Sequence, residues 1–285
     1  MFGKLVKHEF HATGRMIPLI FLVTVIVAAM MVVSVVLELG VLVNVTLVLL
    51  FFTVFAEVIV TLVLIIWRYY RSMCGNEAYL THTLPVRPHL LLWSKLLVSF
   101  VWMALSYLLM LGMVAVIITL FASKNGTSVS EIMSSMRNLW EMLGLEGHEV
   151  TVITIFVAVF VTSILGGLTN AFFSISLGST SKFHQLGIGG PILVYIILYI
   201  ALQLINLLGM VFIPLALRIR ETGGVPKFDF ISYNMIGWFS DRVSGNAAQF
   251  GESIVGIGSF LILPVIIAVL LITTANITEK HTSVR

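Results

Sequence analysis

Glu57 is the one acidic residue placed well inside a long apolar run, so it is the first position where this chain could do chemistry. At 1.5 Å per helical residue it lies about 24 Å from Val41 and about 15 Å from Trp67. An ionised carboxylate in hydrocarbon is costly, so the group must be protonated, paired or reached by water. Two readings of Glu57 stand: a place on a substrate or ion path, or a hydrogen bond within a helix bundle to a neighbour such as Asn170 or Gln203. Asn44, Gln203 and Asn206 are weaker signals of the same kind. Elsewhere the reactive residue types fall at spacings that do not suit catalysis. His8 and His11 are three apart with no third ligand evident. His148-Glu149 continues Val-Thr-Val, without the second histidine of a zinc protease helix. Gly187, Gly189 and Gly190 lack a preceding soluble strand and lead through Pro191 into an apolar run, which marks a turn. No Gly-x-Ser-x-Gly elbow and no GxxxxGK[ST] loop occurs. Cys74 is the single cysteine and makes neither an internal disulfide nor a metal site. No catalytic, cofactor-binding or metal residue is therefore expected in this chain.

The elements that must position Glu57 are set by composition. The chain is 59% hydrophobic and 10% charged, where a soluble domain carries about 25% charged residues. A soluble core cannot absorb that much apolar surface, so the bilayer is the solvent. Six runs reach the ~20 residues needed to cross hydrocarbon. They are Met16–Leu37, Val41–Trp67, Leu96–Phe121, Val150–Leu177, Ile188–Leu217 and Ser253–Ala275, the fifth with an alternative end near Pro214. The first has no Ala-x-Ala exit and runs almost directly into the second, as a signal anchor or true span does. The expected fold class is an all-α integral membrane protein, one transmembrane domain over residues 1–285. Within it, 1–15 is an amphipathic N-terminal helix and 16–121 holds spans one to three. An outer loop at 122–149, spans four and five at 150–217, an outer region at 218–252, and the sixth span with its tail at 253–285 complete the chain.

Basic residues near span ends set orientation. With the N-terminus in the cytosol, the inner segments hold ten basic residues (Lys4, Lys7, Arg15, Arg68, Arg71, Arg87, Lys95, Lys182, Lys280 and Arg285) against Glu9, Glu77 and Glu279. The outer segments hold six basic residues against nine acids. This asymmetry predicts both termini in the cytosol. The net charge of +3 thus reflects topology, and there is no nucleic-acid footprint.

Phe2, Leu5, Val6 and Phe10 fall at helical spacing with Lys4, Lys7, His8 and His11 opposite, which predicts a helix at the headgroup layer. The plainer alternative is a basic tail that only enforces orientation. The turn at Glu38–Gly40 is too short for anything but a tight antiparallel hairpin. In the outer loop, Ile132, Met136, Leu139 and Leu143 predict a helix over 129–143 capped by Ser128 or Ser130. The outer region places Phe228, Phe230, Tyr233, Trp238 and Phe239 among Gly and Asn, as an interfacial aromatic belt, a re-entrant pair of short helices or the lid of a substrate path would. Gly167 to Ala171 and Gly251 to Val255 are small-residue steps suited to close helix approach.

Between the second and third runs, residues Arg68 to Lys95 form a polar stretch too long for a simple turn. Asn76 is a good N-cap and Glu77 suits a first turn. Tyr79, Leu80, Thr83 and Leu84 share a face, and Pro85 ends the helix by restricting Leu84. Such a helix, held between two spans, either docks a partner or rests on the membrane surface.

The stretch EAYLTHTLPVRPHLLLWSKLL closely resembles the segment between spans two and three in permease subunits of bacterial ABC-2-type ABC transporters. Basic N-terminal helix, six spans and a large outer region before the last span are also similar to that family in layout. The resemblance implies that Glu77 to Pro85 is a coupling helix seated in a separate ATP-binding subunit, which would itself bind ATP and Mg. By matching positions, Tyr79, Leu80, Thr81, Leu84 and Pro85 would be its core contacts and Lys95 a membrane-edge anchor, with the Asn76 cap and Glu77 of the first turn completing the coupling segment. It further implies a second permease subunit, identical or homologous, in the lipid of the bacterial cytoplasmic membrane. Export of an amphipathic peptide, a hydrophobic drug or a lipid-like molecule would follow. The rivals are an ion-coupled secondary transporter using Glu57, an intramembrane enzyme, and a regulatory membrane subunit without transport.

Overall fold

A computed structural model describes residues 2–75, 87–124, 126–142, 149–180, 183, 186–222, 225–232, 235–237 and 252–280. Six of its helices are long and apolar enough to cross a membrane. They are α2 (Ile17–Val36), α3 (Gly40–Met73), α4 (Pro88–Lys124), α6 (Glu149–Gly178), α7 (Gly189–Phe212) and α8 (Ser259–Lys280); α1 (Phe2–Thr13) and α5 (Val129–Met142) are shorter and amphipathic. The chain is a multi-pass helical membrane protein. Its outer surface says so independently: Leu19, Phe52 and Ile197 are each 58–64% exposed, an apolar exterior that water would not tolerate.

Burial along α3 explains why it holds its place. Val43, Thr46, Leu50, Val54, Glu57, Thr61, Ile65, Tyr69 and Ser72 form one stripe at steps of three and four, facing α2 and α4. Helices α2, α3 and α4 make one group and α6, α7 and α8 another, with α4 and α6 meeting at the seam. The larger apolar core crosses that seam, joining Ile17, Ile65, Tyr69 and Leu92 to Leu168, Phe172, Ile267 and Leu271. A second core (Val27, Met31, Leu50, Val54 and Met113) belongs to the first group alone. The two groups are therefore fastened toward the α1 end of the bundle.

Connections match the expected turns where local chemistry is strong. Residues Leu37–Leu39 join α2 to α3, with Glu38 at a positive φ of 52°, and Ser34 hydrogen-bonds Thr46 at 2.9 Å just below. At the start of α5, Ser128 Oγ accepts from the Glu131 amide (3.3 Å) and Glu131 Oε2 accepts from the Ser128 amide (3.1 Å). That reciprocal capping box satisfies two otherwise orphaned donors.

The outer region departs from expectation. Residues that suggested an aromatic belt or re-entrant helices form part of a three-stranded antiparallel sheet, β1 (Ala216–Thr222), β2 (Val225–Ile231) and β3 (Glu252–Gly256), ordered β2-β1-β3. Ala216 pairs with Ile231 on one side and Gly256 on the other. Phe228 and Phe230 lie on β2; Tyr233, Trp238 and Phe239 fall outside the described residues. The physical signal is alternation: Leu217 and Ile219 alternate with Arg218 and Arg220, Phe228 and Phe230 with Lys227 and Asp229, and Gly223-Gly224 separates the runs. Pro214, which cannot continue a helix, follows α7, so the fifth span ends at Phe212 instead of Leu217. The sixth starts at Ser259 instead of Ser253, because Glu252–Gly256 pairs with β1. Conversely, α3 continues past Trp67 to Met73, and α4 begins at Pro88, well before Leu96.

Of the glycines the sequence pointed to, Gly190 at the turn before Pro191 makes a close backbone contact and Gly167 does not. A methyl group on Gly167 would meet nothing within 4 Å. At Gly190 it would lie 2.5 Å from the backbone oxygen of Gly178, because the end of α6 and the start of α7 touch backbone to backbone. The glycines at 187–190 thus serve a tight turn and a close crossing, with Gly187 at φ 56°. Gly258 likewise lies against the Gly209 carbonyl, 2.5 Å from where its Cβ would be. Gly190→Ala is expected to destabilise the protein by about 2 kcal/mol through overpacking, and Gly167→Ala by less than about 1 kcal/mol in either direction. Thermal melting of the two variants in the same detergent checks this contrast.

Candidate functional site

The residues expected to contact an ATP-binding partner, Asn76, Glu77, Tyr79, Leu80, Thr81, Leu84 and Pro85, lie outside the described residues. The helices on both sides of them are described. Helix α3 closes with the amides of Cys74 and Gly75 both donating to the Tyr70 carbonyl at 2.9 Å. Helix α4 opens on Pro88, whose missing N–H is no loss in a first turn. Burial pushes the Cys74 thiol up from its ordinary value, which leaves little thiolate for reaction.

Beneath this connection four helices are bound together by polar contacts. Lys95 Nζ on α4 donates to Glu9 Oε1 on α1, and Arg68 Nε on α3 lies 3.8 Å from Glu9 Oε2. The Lys95 side chain is 5% exposed and that of Glu9 12%. Trp102 Nε1 donates to Thr13 Oγ1 at 2.8 Å, with the rings of Phe10 and Phe21 at 5.9 and 6.1 Å from Trp102. Tyr69 stacks on Phe172 of α6, ring centroids 3.9 Å apart and planes 7° from parallel. Its hydroxyl is 2.8 Å from Ser176 Oγ. The cleft among Glu9, Arg68, Tyr69, Lys95 and Trp102 is about 10 Å³, room for roughly one water molecule. It admits no substrate. What the arrangement can do is transmit displacement: movement of α3 or α4 at 75 or 87 is shared with α1 and α6.

Lys95 has a partner that the sequence did not announce. Lys95, which the resemblance made a membrane-edge anchor, is buried against Glu9 and covered by α1. Glu9 meets Lys95 and, one turn further along α1, Thr13 meets Trp102 further along α4, while Phe2 lines a groove shared with α4. The two helices therefore lie side by side in the same sense. Glu9 and Tyr69 were missed as organising residues. The signal for Glu9 was its phase: with Phe2, Leu5, Val6 and Thr13 it falls on the apolar face of α1. Nothing comparable in the sequence announces Tyr69 with Phe172, a pair more than a hundred residues apart.

Glu57 is 1% exposed and sits between the two apolar cores. Ser106 Oγ on α4 donates to its Oε1 at 2.6 Å. Oε2 makes no hydrogen bond of normal length among the described residues, and the Thr61 hydroxyl one turn on is the other polar group acting on the carboxyl. The expected partners are not used: Asn170 lies on α6 beside Phe172, toward the α1 end, and Gln203 is exposed on α7. Asn44 is exposed as well. Among the described residues no three His, Cys, Asp or Glu side chains gather as a metal site would require.

Comparison of the chain with protein-family models, curated proteins and solved structures finds no match. Fold and site together define a multi-pass helical membrane protein whose first and second halves are tied at the α1 end.

Glu9→Gln removes the carboxylate that meets the buried Lys95 and is expected to cost about 3 kcal/mol. Adding Lys95→Met to it should recover most of that loss, a pattern that a surface ion pair would not produce. Ser106→Ala should cost about 2 kcal/mol by removing the donor to Glu57. Melting midpoints of the purified variants, compared with the parent, measure each effect.

Proposed function

We propose that this chain is the membrane-spanning permease subunit of an ATP-driven exporter of the ABC-2 type, resident in the bacterial cytoplasmic membrane with both termini in the cytosol. It pairs with a second permease, identical or homologous, and with two ATP-binding subunits that hold the ATP and Mg. The observation that carries the reading is the length and fastening of the helices flanking 76–86. Helices α3 and α4 have 34 and 37 residues, on the order of 50–55 Å, against a hydrocarbon thickness of about 30 Å. Both are tied to α1 through Glu9. A partner gripping the connection at 76–86 would pull on two long levers whose load passes to α6 through Tyr69 and Phe172. The absence of a phosphate-binding loop gives such a grip a purpose. The family habit and the apolar spans favour an amphipathic peptide, a hydrophobic drug or a lipid-like molecule as cargo.

Glu57 favours a second reading, an ion-coupled secondary transporter, since its carboxylate is buried with Oε2 making no hydrogen bond of normal length among the described residues. That class ordinarily carries several intramembrane ionisable groups and broken helices in matched halves. Glu57 is the one acid well inside a span, Glu149 and Glu279 standing at span ends.

Co-expression with an ABC-type ATP-binding protein, should one be encoded nearby, is expected to yield a stable complex, and Tyr79→Ala combined with Leu84→Asp to dissociate it. A double variant that retains its ATPase as well as the parent overturns the assignment of 76–86. Glu57→Gln should leave folding intact and alter transport-coupled ATP hydrolysis; transport that persists without any ATPase but vanishes in Glu57→Gln would favour the ion-coupled reading.

A further inference from the structure

An apolar groove of about 500 Å³ runs along one face of α4, lined by Phe2 of α1, by Leu90, Trp93, Leu97 and Phe100 of α4, and by Leu165 of α6. From Leu90 to Phe100 it extends about 15 Å along the helix axis. No polar side chain lines it. One end opens beside Leu165, within a membrane-crossing helix. At Phe2 and Leu90 the cationic residues close by in the chain are Lys4 on α1 and Arg87 just before α4. Lys4 and Arg87 are exposed and form no ion pair among the described residues. The acid of α1, Glu9, is turned inward to Lys95, so the exposed side chains of that helix beyond Phe2 are Lys4, Lys7, His8 and His11.

A groove that is apolar along its walls and cationic at its end fits one ligand chemistry in a bilayer, a hydrocarbon chain carrying an anionic head. We propose that it holds one acyl chain of an anionic phospholipid, with the phosphate placed between Lys4 and Arg87. Trp93, 48% exposed, lies at the same end, where amphipathic rings settle at headgroup depth. The bound lipid would bridge α1, α4 and α6 and fill the gap that their side chains leave. The site does not depend on the permease reading, because it requires only a bilayer around the helices.

Native mass spectrometry of the purified full chain, titrated with dioleoylphosphatidylglycerol or dioleoylphosphatidylcholine, tests the assignment. The parent should retain one phosphatidylglycerol in preference to phosphatidylcholine. Lys4→Gln with Arg87→Gln should weaken phosphatidylglycerol retention by about 25-fold, about fivefold for each cation, and leave phosphatidylcholine unchanged. Leu97→Trp, which fills the groove, should reduce retention of both lipids; if that variant does not fold, the double surface variant decides alone. Inorganic phosphate should not compete, because the acyl chain supplies the seat. The proposal is overturned if the double variant retains phosphatidylglycerol as the parent does, if the parent holds both lipids alike, or if phosphate displaces the lipid. It is overturned equally if Leu97→Cys in a Cys74→Ser background crosslinks two copies in phosphatidylglycerol membranes, since a second chain would then occupy the groove.

Discussion

Two basic side chains, Arg68 and Lys95, converge at the α1 end of the bundle, and Lys95 is almost wholly removed from solvent. Burying an ammonium group is sustainable only when a counter-charge reaches it with good geometry. Glu9 provides that counter-charge. Its position on the inner face of α1 forces the helix to lie along α4 instead of drifting free on the membrane surface. Once α1 is seated there, Thr13 meets Trp102, Phe10 and Phe21 close over the same indole, and the start of α2 is held beside Ile65 and Tyr69. The packing of that end of the molecule follows from one charge balance.

The same end is where the halves of the bundle join. Tyr69 reaches α6 by stacking and by a hydrogen bond, and the apolar core spreads from Ile17 to Leu271 around it. Toward the other end the second core serves α2, α3 and α4 alone. This unequal fastening gives the molecule a firm end and an end where the two helix groups share less. Close backbone approach at Gly178 and Gly190, and at Gly209 and Gly258, sets the second group together without large side chains. In lipid such van der Waals contact is what remains when the hydrophobic effect no longer favours helix association.

Legibility from sequence varied with the range of the interaction. The six spans were readable because each is a local property: a run of apolar residues that must satisfy its own backbone in lipid and so forms a helix. The Glu38 turn and the Ser128–Glu131 cap were readable for the same reason. Strand β1 and its partner β2 carried a local signal too, in the alternation around Arg218, Arg220, Lys227 and Asp229, but a long apolar run overshadowed it. Strand β3 was hidden, because Glu252–Gly256 reads as the start of a span until its pairing with Ala216–Arg220 is known. Glycine positions were readable as small, yet which of them touched another backbone was not: Gly167 faces open space and Gly190 does not.

The candidate site divides along the same line. From the sequence alone came the solvent, the helices, the burial of Glu57 in a span, and the polar stretch from Arg68 to Lys95 with its resemblance at Glu77 to Pro85. These depend on residue type and spacing over a few turns. Tertiary structure alone decided that Glu57 accepts from Ser106 and not from Asn170 or Gln203, that Lys95 is buried on Glu9, and that Tyr69 meets Phe172. Each of these is a choice among several equally polar or equally apolar partners far apart in the chain. Helix register and rotation select among them, and those are settled by how all the helices pack at once.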